Sequence, residues 1–146
     1  MLANRNSNIE VATNVIISDN IFRMEGGQFA FQTSGSNEYV EFSNNSGEII
    51  SGLTSKAFLY LGDSSDNVVI DRNRNMVPGV HIVRNNSNTA HYKSIEGNVN
   101  YYGSIIISGS SPDITAEYII GNIHSGNVIN ATVDVEHEFN NHKITQ

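Results

Sequence analysis

The sequence predicts an all-β protein built as a parallel β-helix, and three observations support this fold class. Asparagine, serine and glycine number 21, 17 and 12 of the 146 residues, whereas only 2 are proline, so turn-forming residues are spread along the whole chain. Valine and isoleucine occur in short runs such as "VIIS" and "EYII", which are typical of short strands. A pattern of alternating apolar residues followed by asparagine also returns at a nearly constant period, which indicates a solenoid.

One asparagine in each repeat marks the period. These asparagines are separated by 25, 28, 25 and 24 residues, and they are Asn20, Asn45, Asn73, Asn98 and Asn122. One repeat per turn predicts about five to six coils over residues 13–146, with residues 1–12 as a lead-in. We expect the five amides to form a hydrogen-bonded ladder with a spacing of ~4.8 Å. We also expect them to adopt the left-handed conformation that a sharp bend requires, and Asn75 to lie outside the ladder.

Two apolar positions precede each ladder asparagine and should face the core, because strand alternation puts them on one side. The position three before it holds Ile17, Phe42, Ile70, Ile95 and Ile119. The position five before it holds Val15, Val40 and Val68, then Lys93 and Glu117. The last two could form a buried ion pair, or the strands could slide so that Tyr92 and Tyr118 take their places. We favour the slide, because burying two charges is costly.

A second apolar stretch follows in every repeat, at a distance from the asparagine that varies. The stretches are "QFAF" at 28–31, "AFLYL" at 57–61, "VHIV" at 80–83, "SIIIS" at 104–108 and "NVINATVDV" at 127–135. Variable loops on a constant ladder favour a β-helix. A leucine-rich repeat would need its leucine consensus, and a β-sandwich would lack the recurrence of one asparagine.

Charge and composition exclude several classes of partner. The net charge of -7, with 8 scattered lysines and arginines, argues against nucleic acid. The chain has no cysteine, which excludes disulfides and cysteine-bound metals. No stretch approaches the ~18 to 20 apolar residues of a membrane span, so we predict no membrane insertion. The first twenty residues contain no apolar leader segment.

The repeats "VEFSNN", "VVIDRN" and "EYIIGN" resemble the right-handed parallel β-helix of the pectin-lyase-like superfamily. Within it, the coil pattern is most similar to phage tailspike and neck-appendage proteins and to related prophage proteins. The resemblance implies a surface for cell-surface polysaccharide, a homotrimer, and a location in a virion tail appendage or outside the cell. Catalytic members have more coils and a cap helix, whereas "MLANRNSNIEVA" has no helical period. We therefore expect a fragment, or ends covered by a partner, with a partial coil beginning near Ile144, 25 residues after Ile119.

Carboxylates at the position two before the ladder asparagine are the candidate catalytic groups. That position should point outward, and it stacks Asp71 over Glu96 in neighbouring coils. The pair could act as nucleophile and acid of a retaining glycosidase, with Arg72 as the candidate catalytic base, or it could hold a Ca²⁺ ion. The alternative is a solvated outer face where both carboxylates stay ionised, and we favour this reading.

Tyrosines and arginines supply candidate glycan-binding residues. Tyr101, Tyr102 and Tyr118 offer faces on which sugar rings could stack, and Arg74 could neutralise an acidic sugar. The histidines lack metal-ligand spacing, so we predict no metal site. His137 and His142 could form a weak adventitious site, but solvated positions are favoured.

Three functions remain open from the sequence. The favoured one is a structural and carbohydrate-binding segment of a phage or prophage spike. The second is a polysaccharide lyase or glycoside hydrolase acting through the outward carboxylates, and the third is an assembly module without a ligand. Because no ordered acid, base and nucleophile motif is present, we expect little or no glycan cleavage by this chain.

Overall fold

The computed structural model describes residues 14–25, 30–33, 36–51, 57–109 and 113–145. Within these ranges the chain forms strands and turns and no helix. The strands, in chain order, are β1 (Val15–Ser18), β2 (Ile21–Glu25), β3 (Phe31–Thr33), β4 (Val40–Ser43), β5 (Ser46–Ser51), β6 (Ala57–Asp71), β7 (Arg74–Asn75), β8 (His81–Glu96), β9 (Val99–Asn100), β10 (Ile106–Ser108), β11 (Asp113–Ile120), β12 (Ile123–His124), β13 (Ile129–Asn130), β14 (Asp134–Phe139) and β15 (His142–Lys143).

All strand pairs are parallel, and the strands form two sheets. The short sheet has six strands, one per coil, in the order β2, β5, β7, β9, β12 and β15. The larger sheet has nine strands. This architecture confirms the predicted all-β parallel β-helix. The predicted lead-in at residues 1–12 lies outside the described residues. No helix in the described ranges is long and apolar enough to cross a membrane.

The larger sheet forms two sides of each coil. Strands β6 and β8 are 15 and 16 residues long, and their first halves pair with β3 and β10. Their second halves pair with β4 and β11. The register between β6 and β8 shifts between Asp63 and Val69, which marks the corner where the two strands turn. The short sheet supplies the third side.

The predicted asparagine ladder is present. Asn73 shows the pattern: its Oδ1 accepts hydrogen bonds from the Nδ2 and backbone N of Asn45, both at 3.0 Å. Its Nδ2 donates to Asn98 Oδ1 at 3.0 Å and to the Phe42 carbonyl at 2.7 Å. The same bonds connect Asn20 to Asn45, Asn98 to Asn122, and Asn122 to Asn141. The buried amides are therefore paired from coil to coil.

The left-handed backbone conformation belongs to the residue before each ladder asparagine, so our expectation for the ladder residues themselves was wrong. Six residues in this preceding position have φ between 51° and 64°: Asp19, Asn44, Arg72, Gly97, Gly121 and Asn140. Each bend therefore uses two residues with separate tasks. The first turns the chain, and the asparagine that follows supplies the amide for the ladder.

Asn75 lies outside the ladder that runs from Asn20 to Asn141, as predicted, but it belongs to a second, shorter ladder. Its Nδ2 donates to Asn100 Oδ1 at 3.0 Å and to the Val80 carbonyl at 2.6 Å. Its Oδ1 accepts from the backbone N of Val77 at 2.8 Å. Both Asn75 and Asn100 are fully buried on the inward side of the short sheet. These amides satisfy the backbone groups of the turns that leave that sheet.

The predicted apolar columns face the core. Ile17, Phe42, Ile70, Ile95 and Ile119 are paired in register through five coils. The neighbouring column runs from Val68 to Tyr92, which is fully buried, while Lys93 bulges out and is exposed. The slide is thus confirmed for Tyr92. It is wrong for Tyr118, because Ala116 pairs with Tyr92 and fills the inward place.

A sixth asparagine extends the ladder in the last described coil, and its distance in sequence from the fifth differs from the predicted period. Asn141 follows Asn122 by 19 residues and accepts its amide hydrogen bond at 2.9 Å. Glu138 is therefore the partner of Ile119, and our alignment of Ile144 with Ile119 was wrong. The last turn is shorter because β14 begins soon after β13, so a fixed period of 25 misplaces the rung.

The buried Tyr92 hydroxyl allows a test of how an unpaired polar group in the core affects stability. Among the described residues it has no hydrogen-bond partner, and burial raises the pKa of Tyr92. Tyr92→Phe removes this unpaired buried group, so we expect the free energy of unfolding to rise by about 1 kcal/mol. Chemical denaturation measures it, with Tyr118→Phe as the exposed control. A loss of stability in Tyr92→Phe would mean that the hydroxyl is paired.

Candidate functional site

The outward side of the second halves of the coils carries two parallel columns of side chains, which we call the outer face. The column four residues before the ladder asparagine holds Ile16, Glu41, Val69, Ser94, Tyr118 and His137. The column two residues before it holds Ser18, Ser43, Asp71, Glu96, Ile120 and Phe139. Parallel, in-register pairing places neighbours in each column ~4.8 Å apart along the strands' stacking direction.

Asp71 and Glu96 are direct neighbours on the outer face, as predicted. Their environments differ: Glu96 is exposed, whereas Asp71 is partly buried and accepts a hydrogen bond from Ser94 Oγ at 2.8 Å. Burial raises the pKa of Asp71, and the Glu96 charge adds to this, while the Ser94 bond partly offsets it. The pair therefore differs from two equivalent solvated carboxylates, and Asp71 holds its proton to a higher pH than an ordinary aspartate.

Arg72 turns the chain at the corner and is directed toward the preceding coil. Its Nε donates a hydrogen bond to Asn44 Oδ1 at 3.0 Å. Within the described residues it forms no ion pair with Asp71 or Glu96, although its charge lowers the pKa of Asp71. Arg72 therefore acts on the carboxylates at a distance, and its guanidinium is held by an amide.

A third carboxylate extends the acidic part of the outer face. Glu41 accepts hydrogen bonds from Tyr39 Oη at 3.0 Å and from Ser43 Oγ at 2.6 Å. Burial, and then the Glu41 hydrogen bond and charge, raise the pKa of the Tyr39 hydroxyl. Glu41 and Asp71 are thus held in place by neighbouring hydroxyls. The sequence did not reveal these hydroxyl partners, which are Tyr39 and Ser43 for Glu41 and Ser94 for Asp71.

Aromatic side chains occupy the other end of the outer face. The rings of Tyr118 and His137 are stacked, with centroids 5.1 Å apart and an interplanar angle of 23°. Tyr118 is 41% exposed, and Phe139, which pairs with Ile120, is 50% exposed. The sequence suggested His137 only for an adventitious metal site and did not identify Phe139. Their positions relative to Asn141 could have revealed them, but the 19-residue interval hid that asparagine.

The predicted site residues do not all converge. Tyr118 in β11 pairs with Ser94 in β8, which is the strand that holds Glu96. Tyr118 therefore lies on the outer face together with Asp71 and Glu96. Tyr101 and Tyr102 lie in the turn after β9 of the short sheet. Arg74 begins β7, and its Nε contacts Met76 Sδ at 3.4 Å. One of the four predicted glycan-binding residues therefore lies beside the carboxylates.

Metal ligands are not assembled in the part of the chain that the structure describes. No group of three or more histidine, aspartate or glutamate side chains there could hold a metal ion. His137 lies in the larger sheet and His142 in the short sheet, and the suggested adventitious site of these two residues stays a prediction. Binding of Ca²⁺ by Asp71 and Glu96 stays a prediction.

A groove of about 510 Å³ lies at the corner where the outer-face strands begin. Hydroxyls and carboxylates of four successive coils line it, including Ser36, Ser64, Thr89 and Asp113. His91 stands between two acidic residues, with Nδ1 3.1 Å from Asp66 and Nε2 3.5 Å from Glu117. The sequence did not reveal this groove, because the corner residues follow no periodic pattern.

Comparisons with protein-family models, with curated proteins and with solved structures found no match. The similarity to the pectin-lyase-like superfamily therefore stays a prediction from the coil pattern, and the fold assignment rests on the strand pairing and the asparagine ladder.

Proposed function

We propose that this chain is a structural and carbohydrate-binding β-helix segment, of the kind found in phage or prophage spikes, that contacts cell-surface polysaccharide. One observation carries the proposal: the outer face places the exposed Tyr118, stacked on His137, next to the coils that hold Asp71 and Glu96. The homotrimer, and the location in a virion appendage or outside the cell, are parts of the same proposal.

The chemistry of this face suits a sugar polymer. Sugar rings pack their C–H faces on exposed aromatic rings, and Tyr118 and Phe139 offer such rings on adjacent coils. Sugar hydroxyls donate to carboxylates, and Glu96 and Asp71 lie in the next two coils, in the column that also holds Phe139. Because each coil repeats the position of its neighbour, the face presents a row of binding groups, which suits a chain of linked sugars better than a single one.

Glycan cleavage is the second candidate, and it is favoured by the unequal environments of Asp71 and Glu96. Retaining glycosidases hold two carboxyl groups about 5 to 5.5 Å apart, close to the strand spacing of this pair, and one of them must act as an acid. The raised pKa of Asp71 is in the required direction. Binding is the better supported function, because the face is open on one side and Arg72 bonds to Asn44.

Two tyrosines of almost equal exposure allow a matched test of binding. Tyr118 is 41% exposed on the outer face, and Tyr102 is 40% exposed in the turn after β9. We expect Tyr118→Ala to weaken binding to a responsive bacterial surface polysaccharide about tenfold, the effect of losing one stacking contact. Tyr102→Ala should leave affinity unchanged. Calorimetry across a polysaccharide panel measures both, and equal losses in the two variants would contradict the proposal.

The same polysaccharide panel distinguishes the two proposed functions, glycan binding and glycan cleavage. Release of reducing ends, or of unsaturated uronate absorbing in the ultraviolet, reports cleavage. We expect neither. Turnover that disappears in Asp71→Asn, with binding and stability retained, would establish the glycan-cleaving enzyme instead.

A further inference from the structure

The first described coil leaves one end of the solenoid uncovered. Strand β1 pairs with β4 on one side, and within the described ranges no strand pairs with its other side. Its inward residues Val15 and Ile17 are half-buried. Their partners in the next coil, Val40 and Phe42, are fully buried. A cavity of about 510 Å³ lies at this end, lined mainly by β1, β3 and Asn20. The inward column therefore lacks the cover that a preceding coil would supply.

Asn20 has the hydrogen bonds of a rung without a predecessor. In every later rung, the asparagine Nδ2 donates to a carbonyl of the coil before it, as Asn45 does to Ile17 at 2.8 Å. Asn20 Nδ2 instead donates to the Ser18 carbonyl of its own coil, at 2.8 Å. The Oδ1 of each later rung accepts two hydrogen bonds, from the Nδ2 and backbone N of the rung before it.

The Oδ1 of Asn20 accepts no hydrogen bond from the part of the chain that the structure describes. Asn20 is half-buried and lines the end cavity, and this oxygen is not among the enclosed polar atoms. A partner at the end of the solenoid can therefore reach it. The open rung offers one acceptor for two N–H groups, and one amide donor that can turn to a new carbonyl.

The opposite end of the ladder is capped by a side chain of the same coil. Asn141 Nδ2 donates to the Ile119 carbonyl at 3.1 Å, as in the other rungs, and to Glu138 Oε1 at 3.3 Å. The carboxylate thus takes the place of the next asparagine. Glu138 also pairs with Ile119 in the inward column, and an inward charge opposes the addition of a further strand. One end of the ladder is therefore capped, and the other is open.

We propose that the open end binds a coil of another β-solenoid protein, as an extended strand added parallel to β1. The incoming strand has the pattern apolar-x-apolar-x-x-Asn of this chain's own coils. The backbone N and Nδ2 of its asparagine donate to Asn20 Oδ1, and Asn20 Nδ2 turns from Ser18 to the carbonyl three residues before that asparagine. The two apolar residues cover Val15 and Ile17. Neither this proposal nor glycan binding depends on the other.

A second copy of this chain fits the open end poorly in either orientation. Contact between two open ends would bring Asn20 Oδ1 against the same atom of the other copy, and two acceptors share no hydrogen. Contact with a capped end would place Glu138 over Ile17, because each lies three residues before its ladder asparagine. Burying a carboxylate against an aliphatic side chain is costly. A different chain with an apolar residue at that position avoids this cost.

A synthetic peptide with the sequence of residues 67–75, NVVIDRNRN, tests the site on the full chain. It carries the required pattern in Val68, Ile70 and Asn73. The readouts are the NMR signals of the Asn20 side-chain amide and of the β1 backbone. We expect a saturable shift of these signals with Kd of about 0.1 to 1 mM, as suits one short strand on a sheet edge.

Two altered peptides isolate the asparagine contact on the unmodified protein. Asn73→Asp in the peptide replaces the side-chain donor by a second acceptor, so it should weaken binding at least tenfold. Asn67→Asp in the peptide adds the same charge away from the rung and should leave the affinity unchanged. Equal affinities of the two altered peptides would overturn the proposal.

Two protein variants distinguish the ends of the solenoid. Asn20→Ala should weaken binding of the unaltered peptide at least tenfold, whereas Glu138→Gln, at the capped end, should leave it unchanged. Circular dichroism verifies that both variants fold. The proposal is also overturned if the Asn20 and β1 signals of the unmodified protein show no saturable shift, or if Glu138→Gln loses as much affinity as Asn20→Ala.

Discussion

Asn73→Ala is expected to lower the free energy of unfolding by about 3 kcal/mol, because it breaks the ladder in the middle of the solenoid. The change removes the acceptor of the Asn45 backbone N and Nδ2. It also removes the donor to the Phe42 carbonyl. These groups are buried between coils, where water cannot replace the lost partner, so each retains most of its desolvation cost.

Asn130→Ala is the matched control for the ladder variant. Asn130 is exposed, and its Oδ1 accepts a long hydrogen bond of 3.4 Å from Asn127. Its removal should change stability by less than about 0.5 kcal/mol. Urea denaturation of both variants measures the difference. Asn75→Ala should also destabilise, because it breaks the second ladder. Equal midpoints for Asn73→Ala and Asn130→Ala would contradict the ladder as a source of stability.

Gly47→Ala is expected to destabilise by about 3 kcal/mol through overpacking. Gly47 is the inward residue of β5, and a Cβ atom at this position would overlap the ring of Phe58. That ring is buried against Phe22, with centroids 5.6 Å apart, so it has no free space into which to move. Glycine is therefore required here by the close approach of an aromatic ring, and its backbone conformation is ordinary.

The double variant Gly47→Ala/Phe58→Leu tests this explanation. A smaller side chain at position 58 should make room for the new methyl group, so the double variant should be more stable than the sum of the two single effects predicts. Ser46→Ala, the neighbour that points away from the core, serves as a control and should be near neutral. Additive losses in the double variant would show that Gly47 is needed for a reason other than the Phe58 ring.

The candidate site was predictable only in part. Asp71 and Glu96 were identified from their positions in the repeat, because strand alternation is a local property. Tyr118 was identified from its aromatic ring, and its position in the repeat predicted an inward side chain. A strand irregularity that the sequence did not predict places Tyr118 on this face. A bulge at Glu117, next to Lys93, leaves Ala116 facing inward and turns Tyr118 outward, and no pattern in one strand reveals where its neighbour is bulged.

The sequence by itself determined the class of fold, the five predicted ladder asparagines and the column from Ile17 to Ile119. Each of these depends on a short motif whose alternation and amide chemistry recur in every coil. Only the tertiary structure decided that the residue before each asparagine takes the left-handed conformation, that Asn75 and Asn100 form a second ladder, and that Asn141 is the sixth rung. These features depend on register and turn length between coils. Turns of different length shift the register without leaving a periodic signal, so pairing across coils decides which residues meet.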